Sequence, residues 1–182
     1  GVLARTGWPM PAVVGATLAV GAVLGAVNGA LVRWAGVPAI IATLATMVIW
    51  RSAVRQATGG DWIRDLPAGY QWFGRAPDGA QFGYAVVAMA VFAGVAWGAR
   101  YLAMGRAVYA AGNDAEAARR LGLAPERVTL GVFVTMGVAT AAAALLNFTR
   151  YPAIETNAGL GLELKVIAAV VVGGTAITGG RG

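Results

Sequence analysis

The chain has 182 residues, of which 58% are hydrophobic and only 12% are charged. Soluble domains carry roughly 25% charged residues, and the mean hydropathy here is +0.67. This composition argues against a soluble enzyme, a disordered segment and a nucleic-acid-binding domain, and it predicts an integral membrane protein. The net charge of +6 comes from thinly spread basic residues, so we expect contacts with lipid headgroups and no nucleic-acid partner.

The chain offers little chemistry for catalysis. It contains no cysteine and no histidine, which excludes disulfides, Cys/His metal sites and imidazole acid–base catalysis. All eight acidic residues fall in predicted loops or at the ends of predicted spans. We therefore expect no catalytic residue, no metal and no cofactor, because neither a buried acid–base pair nor a proton relay is available.

Five apolar segments predict an all-α fold, a polytopic transmembrane helical bundle of about four to five spans in a single domain. Crossing the bilayer core takes about 20 apolar residues, a length that the first, third and fourth segments reach. The second reaches it only if the helix continues past Arg51, and whether the fifth spans fully is left open. The predicted spans are 12–32, 38–56, 80–99, 128–149 and 164–180. Since the chain begins with Gly1 and stops directly after an apolar run, we expect it to be a piece of a longer membrane protein.

Glycines recur at helical spacing in two of these spans. The first span contains Gly21, Gly25 and Gly29, and the third contains Gly94 and Gly98. Small residues four apart let the backbones of two membrane helices approach closely. We therefore interpret both sets as helix-packing positions.

A few polar residues lie inside or at the ends of the predicted spans. They are Asn28 in the first, Thr43 and Thr46 in the second, and Asn147 at the end of the fourth. Lipid cannot satisfy their hydrogen bonds, so we expect them to face the protein interior. Two roles stay open for each, a hydrogen bond between helices and a place in the transport pathway.

The polar segment 100–127 is predicted to be a loop followed by a short helix over about 114–121. Asn113 or Asp114 can cap the start of this helix, Glu116 suits its first turn, and Gly122 ends it. Two interpretations remain open from the residues alone. The helix either presents a rigid surface to a soluble partner or is an ordinary solvated connector.

At this point the sequence resembles a known family. The pattern Gly-Arg-x-x-Tyr-Ala-x-Gly-Asn-x-x-Glu-Ala-Ala-x-x-x-Gly over 105–122 is similar to the cytoplasmic coupling loop of permease subunits in bacterial ABC importers for sugars. Residues 37–44 and 157–180 resemble two further signatures of the same family. The three stretches occur in the family's order, and from residue 37 to residue 180 they span most of the chain.

The resemblance implies an orientation and a set of partners, whereas counting basic residues leaves the orientation open. It places 100–127 in the cytoplasm and both 51–79 and 150–163 in the periplasm. It implies a multi-pass protein of the bacterial inner membrane that works with a cytoplasmic ATP-binding subunit, a second permease chain (identical or different) and a periplasmic substrate-binding protein. The residues that it assigns to coupling with the ATPase are Gly112, Asn113, Glu116, Ala117, Ala118 and Gly122.

The substrate is indicated less directly. Residues 59–68 resemble permeases for rhamnose and for autoinducer 2 more than those for ribose, and the tracts 47–50 and 70–74 favour rhamnose. Import of autoinducer 2 or of another pentose or hexose is the alternative. A channel or secondary transporter is a further alternative, which the lack of acidic residues inside the spans disfavours.

Overall fold

The protein is entirely helical wherever the computed structural model describes it, over residues 8–61, 80–150 and 159–174. This confirms the predicted all-α class. The helices in those ranges are α1 (Met10–Trp34), α2 (Ala39–Ala57), α3 (Ala80–Tyr101), α4 (Ala103–Asn113), α5 (Ala115–Arg120), α6 (Pro125–Arg150) and α7 (Leu162–Val172).

Prolines and glycines set several of the helix boundaries. Pro9 and Pro38 stand directly before α1 and α2, where a missing backbone N–H costs nothing. At the end of α2 the chain turns through Gly59 and Gly60, whose φ angles are +64° and +83°. The Gly60 amide donates to the Arg55 carbonyl oxygen at 2.8 Å, which satisfies one of the last acceptors of the helix.

Within the described ranges, two helices are long and apolar enough to cross a membrane, α1 and the Pro125–Asn147 part of α6. A third candidate is the bent pair formed by α3 and α4. Helices α1, α3 and α6 cover the predicted spans 12–32, 80–99 and 128–149. The span predicted at 38–56 is helical but does not meet the same criterion, since α2 ends in a polar stretch. Helix α7 covers 164–172 of the span predicted at 164–180, and residues 175–180 lie outside the described residues.

The prediction of a loop before the short helix is wrong for residues 103–113, which form α4. The backbone stays helical through Gly105 and Gly112. The real break is at Leu102, whose extended backbone separates α3 from α4 with a bend of 72°. Gly105 permits this bend, because a Cβ at that position would lie 2.5 Å from the Cα of Ala99.

The chain divides into two compact units. The first comprises Gly1–Ala80 with Phe133–Ala158, and the second comprises Gln81–Val132 with Gly159–Gly182. Within the first unit α1 packs against α2 and against the glycine-containing part of α6. Within the second unit α4 packs against α5.

Candidate functional site

The short helix α5 begins with a side-chain cap from Asp114. The Asp114 carboxylate accepts hydrogen bonds from the amides of Glu116 at 2.9 Å and Ala117 at 3.0 Å. Asn113 is instead the last residue of α4, so the structure selects Asp114 from the two predicted caps. The negative charges of Asp114 and Glu116 both lie at the positive end of the helix dipole, which stabilises the first turn.

The end of α5 is closed by Gly122 in the left-handed region, with φ +80°. The Leu123 amide donates to the Ala118 carbonyl oxygen at 3.0 Å, and the Gly122 amide donates to that of Arg119 at 2.9 Å. This is the Schellman pattern, which satisfies carbonyl groups that would otherwise lack partners. The predicted helix and its glycine stop are confirmed, with bounds one residue inside those expected.

An ion pair joins α5 to the first turn of α6. The Arg119 guanidinium donates from Nη2 and Nε to Glu126 Oε1, at 2.5 Å and 3.1 Å, and it also lies 3.5 Å from Glu116. The hydrogen bond with Glu126 and then its charge raise the pKa of Arg119 above the usual value. Arginine is fully charged at neutral pH in any case, so the pair serves to fix α5 on α6.

One face of α5 is open and partly apolar. Ala118 is 2% exposed, whereas Glu116, Ala117 and Leu121 are exposed, Leu121 to 80%. Ala117 and Leu121 are four residues apart and therefore share a face. Sequence reasoning missed Leu121, although an apolar residue between arginine and glycine in a polar segment could have flagged it. The coupling candidates Gly112 and Asn113 are also exposed, in the last turn of α4.

Two of the polar residues predicted inside spans bond to each other. Thr46 is 7% exposed, and its hydroxyl donates to Asn28 Oδ1 at 2.6 Å, which joins α2 to α1. The Ala42 carbonyl oxygen, at 3.0 Å, is the nearest acceptor on its own helix. The sequence left open a hydrogen bond between helices or a place in the transport pathway, and the structure shows the hydrogen bond for this pair.

The other two polar candidates are placed differently. The Thr43 hydroxyl donates to the carbonyl oxygens of its own helix, with Ala39 at 2.9 Å and Ile40 at 3.1 Å. Asn147 is exposed near the end of α6. Over the described ranges no cluster of acidic, histidine or cysteine side chains is arranged to hold a metal ion.

The glycines of α1 lie against the backbone of α6. A Cβ at Gly21 would come within 2.5 Å of the Gly137 carbonyl oxygen, and one at Gly25 would collide with that of Phe133. Gly29 is buried as well. The glycines of α3 are placed otherwise: in the described part of the chain, a Cβ at Gly94 would meet nothing within 4 Å, and one at Gly98 would meet only Leu102.

Comparison with known proteins places the whole chain in one family. The sequence profile described as "branched-chain amino acid transport system / permease component" matches residues 1–180. The autoinducer 2 import system permease protein LsrC of Salmonella typhimurium is 37% identical over 185 residues, covering 100% of this chain and 52% of that protein. The proteins of the same name from Escherichia coli K12 and Shigella flexneri are each 36% identical and are each covered to 53%. No solved structure matches.

The chain thus spans about half the length of these curated relatives. The comparisons confirm the resemblance to import permeases that was stated on sequence motifs. Since the family profile extends over nearly every residue, the chain belongs to the permease-component family of branched-chain amino acid transport systems, a multi-pass protein of the bacterial inner membrane.

Proposed function

We propose that the chain is part of the permease subunit of an ABC importer that moves a sugar or a sugar-derived signal across the inner membrane. ATP hydrolysis in a separate cytoplasmic subunit supplies the energy. The observation that carries this proposal is α5, a six-residue helix capped at both ends and fixed to α6 by the Arg119–Glu126 pair.

The exposed face of α5 has the character of a contact surface for a soluble protein. Ala117 is small enough to let the helix enter a groove, and Leu121 adds an exposed apolar side chain beside it. Glu116 offers a negative charge on the same short helix. A compact apolar centre with charge at its rim is typical of protein interfaces. In this proposal the ATP-binding subunit holds that face.

Helix α6 makes two contacts that the proposal uses, one within each compact unit. Arg119 binds Glu126 in the first turn of α6, and farther along α6 the backbone at Gly137 lies against Gly21 of α1. Displacing α5 would move the start of α6 with it, and α6 and α1 are in contact at their backbones. Movement of these helices as rigid bodies is the proposed route to alternating access. A second permease chain and a substrate-binding protein complete the proposed assembly.

The relatives favour autoinducer 2 as the first substrate to test, since that is the import system their names carry. Rhamnose, which the tracts 47–50 and 70–74 favour in the sequence, receives no specific support from these matches. Both are small polyhydroxylated molecules, so uptake of each should be measured with the same membranes.

Site-directed cross-linking tests the proposal. This chain has no cysteine. Ala117→Cys therefore gives it one reactive thiol, which lies on the exposed face of α5. The complete permease would be cross-linked in native membranes together with its ATP-binding subunit. We expect an Ala117→Cys adduct with that subunit whose yield changes between the ATP-bound and nucleotide-free states.

Two matched variants on the same helix control for accessibility. Ala115→Cys is also exposed but lies two residues away, about 200° around the helix. Ala118→Cys is buried. Capture by Ala117→Cys that greatly exceeds both would support the proposal. Equal capture by Ala115 and Ala117, or labelling by a soluble maleimide with no capture, would make α5 a solvated connector and bring a channel or secondary transporter forward.

A further inference from the structure

A groove with two arginines lies at the junction of α3 and α4. It is open, has a volume of about 670 Å³, and is lined by Ala96, Ala99, Arg100, Arg106 and Tyr109. All five residues belong to the second compact unit. None of them belongs to the open face of α5, so the groove is a separate surface from the proposed contact with the ATP-binding subunit.

The 72° bend between the two helices creates this concave surface. Gly105 lies against the backbone of Ala99, which brings the start of α4 back toward the end of α3. The Arg106 side chain donates from Nη1 to the Tyr101 carbonyl oxygen at 2.8 Å, and this bond holds its guanidinium near the end of α3. A guanidinium has five N–H donors, so further donors remain for a ligand.

The groove carries the positive charges of two arginines. Neither Arg100 nor Arg106 forms an ion pair with any carboxylate in the described residues. Arg100 instead lies over the Tyr101 ring, with its Cζ 5.9 Å from the ring centroid. The Tyr109 side chain, which is half exposed, adds a hydroxyl donor. Two guanidinium groups and a phenol around a concavity form a set of donors suited to a phosphate.

The surface next to the groove indicates where that phosphate comes from. The preceding turns of α3 carry exposed Phe92, Val95 and Trp97, with exposures of 71%, 67% and 59%. In a membrane protein such a surface faces acyl chains, and tryptophan favours the level of the headgroups. Basic residues directly beyond an apolar helix attract anionic lipids. Acyl chains along α3 and a headgroup over Arg100 would therefore belong to the same molecule.

We propose that the groove at the α3–α4 junction binds the phosphate of an anionic phospholipid. Arg100 and Arg106 provide the charge, Tyr109 provides a hydrogen bond, and Ala96 and Ala99 leave the room that a headgroup needs. This binding goes beyond the proposed transport function and does not depend on the substrate or on the ATP-binding subunit.

Native mass spectrometry of the complete permease measures this binding directly, with phosphatidylglycerol as the probe and phosphatidylcholine as the neutral comparison. We expect wild type to bind phosphatidylglycerol more tightly. A basic residue near an anionic lipid surface contributes about 1 kcal/mol, or roughly a fivefold change in affinity. Arg100→Gln should therefore weaken phosphatidylglycerol binding about fivefold, and adding Arg106→Gln about 25-fold.

Two control variants keep the proposal open to refutation. Arg127→Gln removes an exposed arginine of the same unit that does not line the groove, and it should leave lipid affinity unchanged. Arg100→Lys retains the charge and should recover most of the affinity, so a folding defect in the Arg106 variant would not decide the result. Equal binding of the two lipids, or equal losses in the Arg100 and Arg127 variants, would overturn the proposal.

Two competition experiments distinguish other sources of the anion. Displacement of the lipid by millimolar inorganic phosphate would identify a site for free phosphate, and the lipid assignment would then be wrong. Displacement by the purified ATP-binding subunit would identify a protein contact instead. Retention of phosphatidylglycerol against both competitors is the result that the lipid assignment requires.

Discussion

Replacing Gly21 by alanine tests whether α1 and α6 are held together at backbone contact. The added Cβ would lie 2.5 Å from the Gly137 carbonyl oxygen and 2.6 Å from the Cβ of Ala141. Neither atom belongs to a long side chain that could rotate away. The substitution can be accommodated only if the two helices separate or slide along each other.

The size of the effect follows from these distances. Ordinary van der Waals contact begins near 3.4 Å, so the helices must separate by roughly 0.9 Å, a gap that forfeits a quarter to a half of the attraction between facing atoms. Overpacking of this kind costs about 1–3 kcal/mol. The higher helix propensity of alanine offsets little of that cost, because a membrane segment remains helical when tertiary contacts are lost.

The assay is equilibrium unfolding of the complete permease in mixed micelles, titrated with a denaturing detergent. Gly21→Ala should lower the free energy of unfolding by about 1–3 kcal/mol. Gly15→Ala, in the same helix, is the matched control, since a Cβ at Gly15 would meet nothing within 4 Å in the described structure. Its free energy of unfolding should stay within about 0.5 kcal/mol of that of wild type. Indistinguishable stabilities for the two variants would refute the backbone contact.

Three further predictions concern α5 and the hydrogen bond between α1 and α2. Asp114→Ala removes an N-cap worth about 1 kcal/mol, so hydrogen exchange should show the α5 amides opening about fivefold more often. Asn113→Ala removes no cap bond and should leave the exchange rates of those amides unchanged. Gly122→Ala places a Cβ on a residue with φ +80° and should destabilise the end of α5 by about 1–2 kcal/mol, whereas Gly122→Asn should cost less. Equal hydrogen-exchange rates of the α5 amides in the two variants would contradict this reasoning. Thr46→Val should lower the free energy of unfolding by about 0.6 kcal/mol, and a double-mutant cycle with Asn28→Ala should return that coupling; a coupling of zero would mean that the bond contributes nothing.

The sequence predicted α5 well because the signals for it are local. The capping aspartate, the acidic first turn, the basic last turn and the left-handed glycine all lie within nine residues of one another, and each acts on the backbone beside it. The same locality explains why the apolar spans could be recognised. A long apolar helix can be predicted from its own residues, without knowledge of the helices that pack against it.

Features that depend on contacts between distant residues could not be predicted in this way. The pairing of Thr46 with Asn28 requires α2 to meet α1 at one rotation, and nothing in either segment fixes that rotation. The glycines of α1 and α3 have the same four-residue spacing, but within the described chain Gly21 and Gly25 of α1 lie at a helix contact, whereas Gly94 of α3 does not. Spacing shows that a close approach is permitted, while the neighbouring helix decides where it occurs.

A helix as short as α5 requires support from outside itself. Six residues form too few internal hydrogen bonds to offset the cost of helix nucleation, since isolated helices shorter than about 12 residues are marginal in water. That support comes from the Asp114 cap, the Gly122 turn and the Arg119–Glu126 pair. The first two order the helix, and the third fixes it to α6. Without the two caps, a force applied to Ala117 would unfold α5 locally. Without the Arg119–Glu126 pair, that force would have no direct contact through which to act on α6.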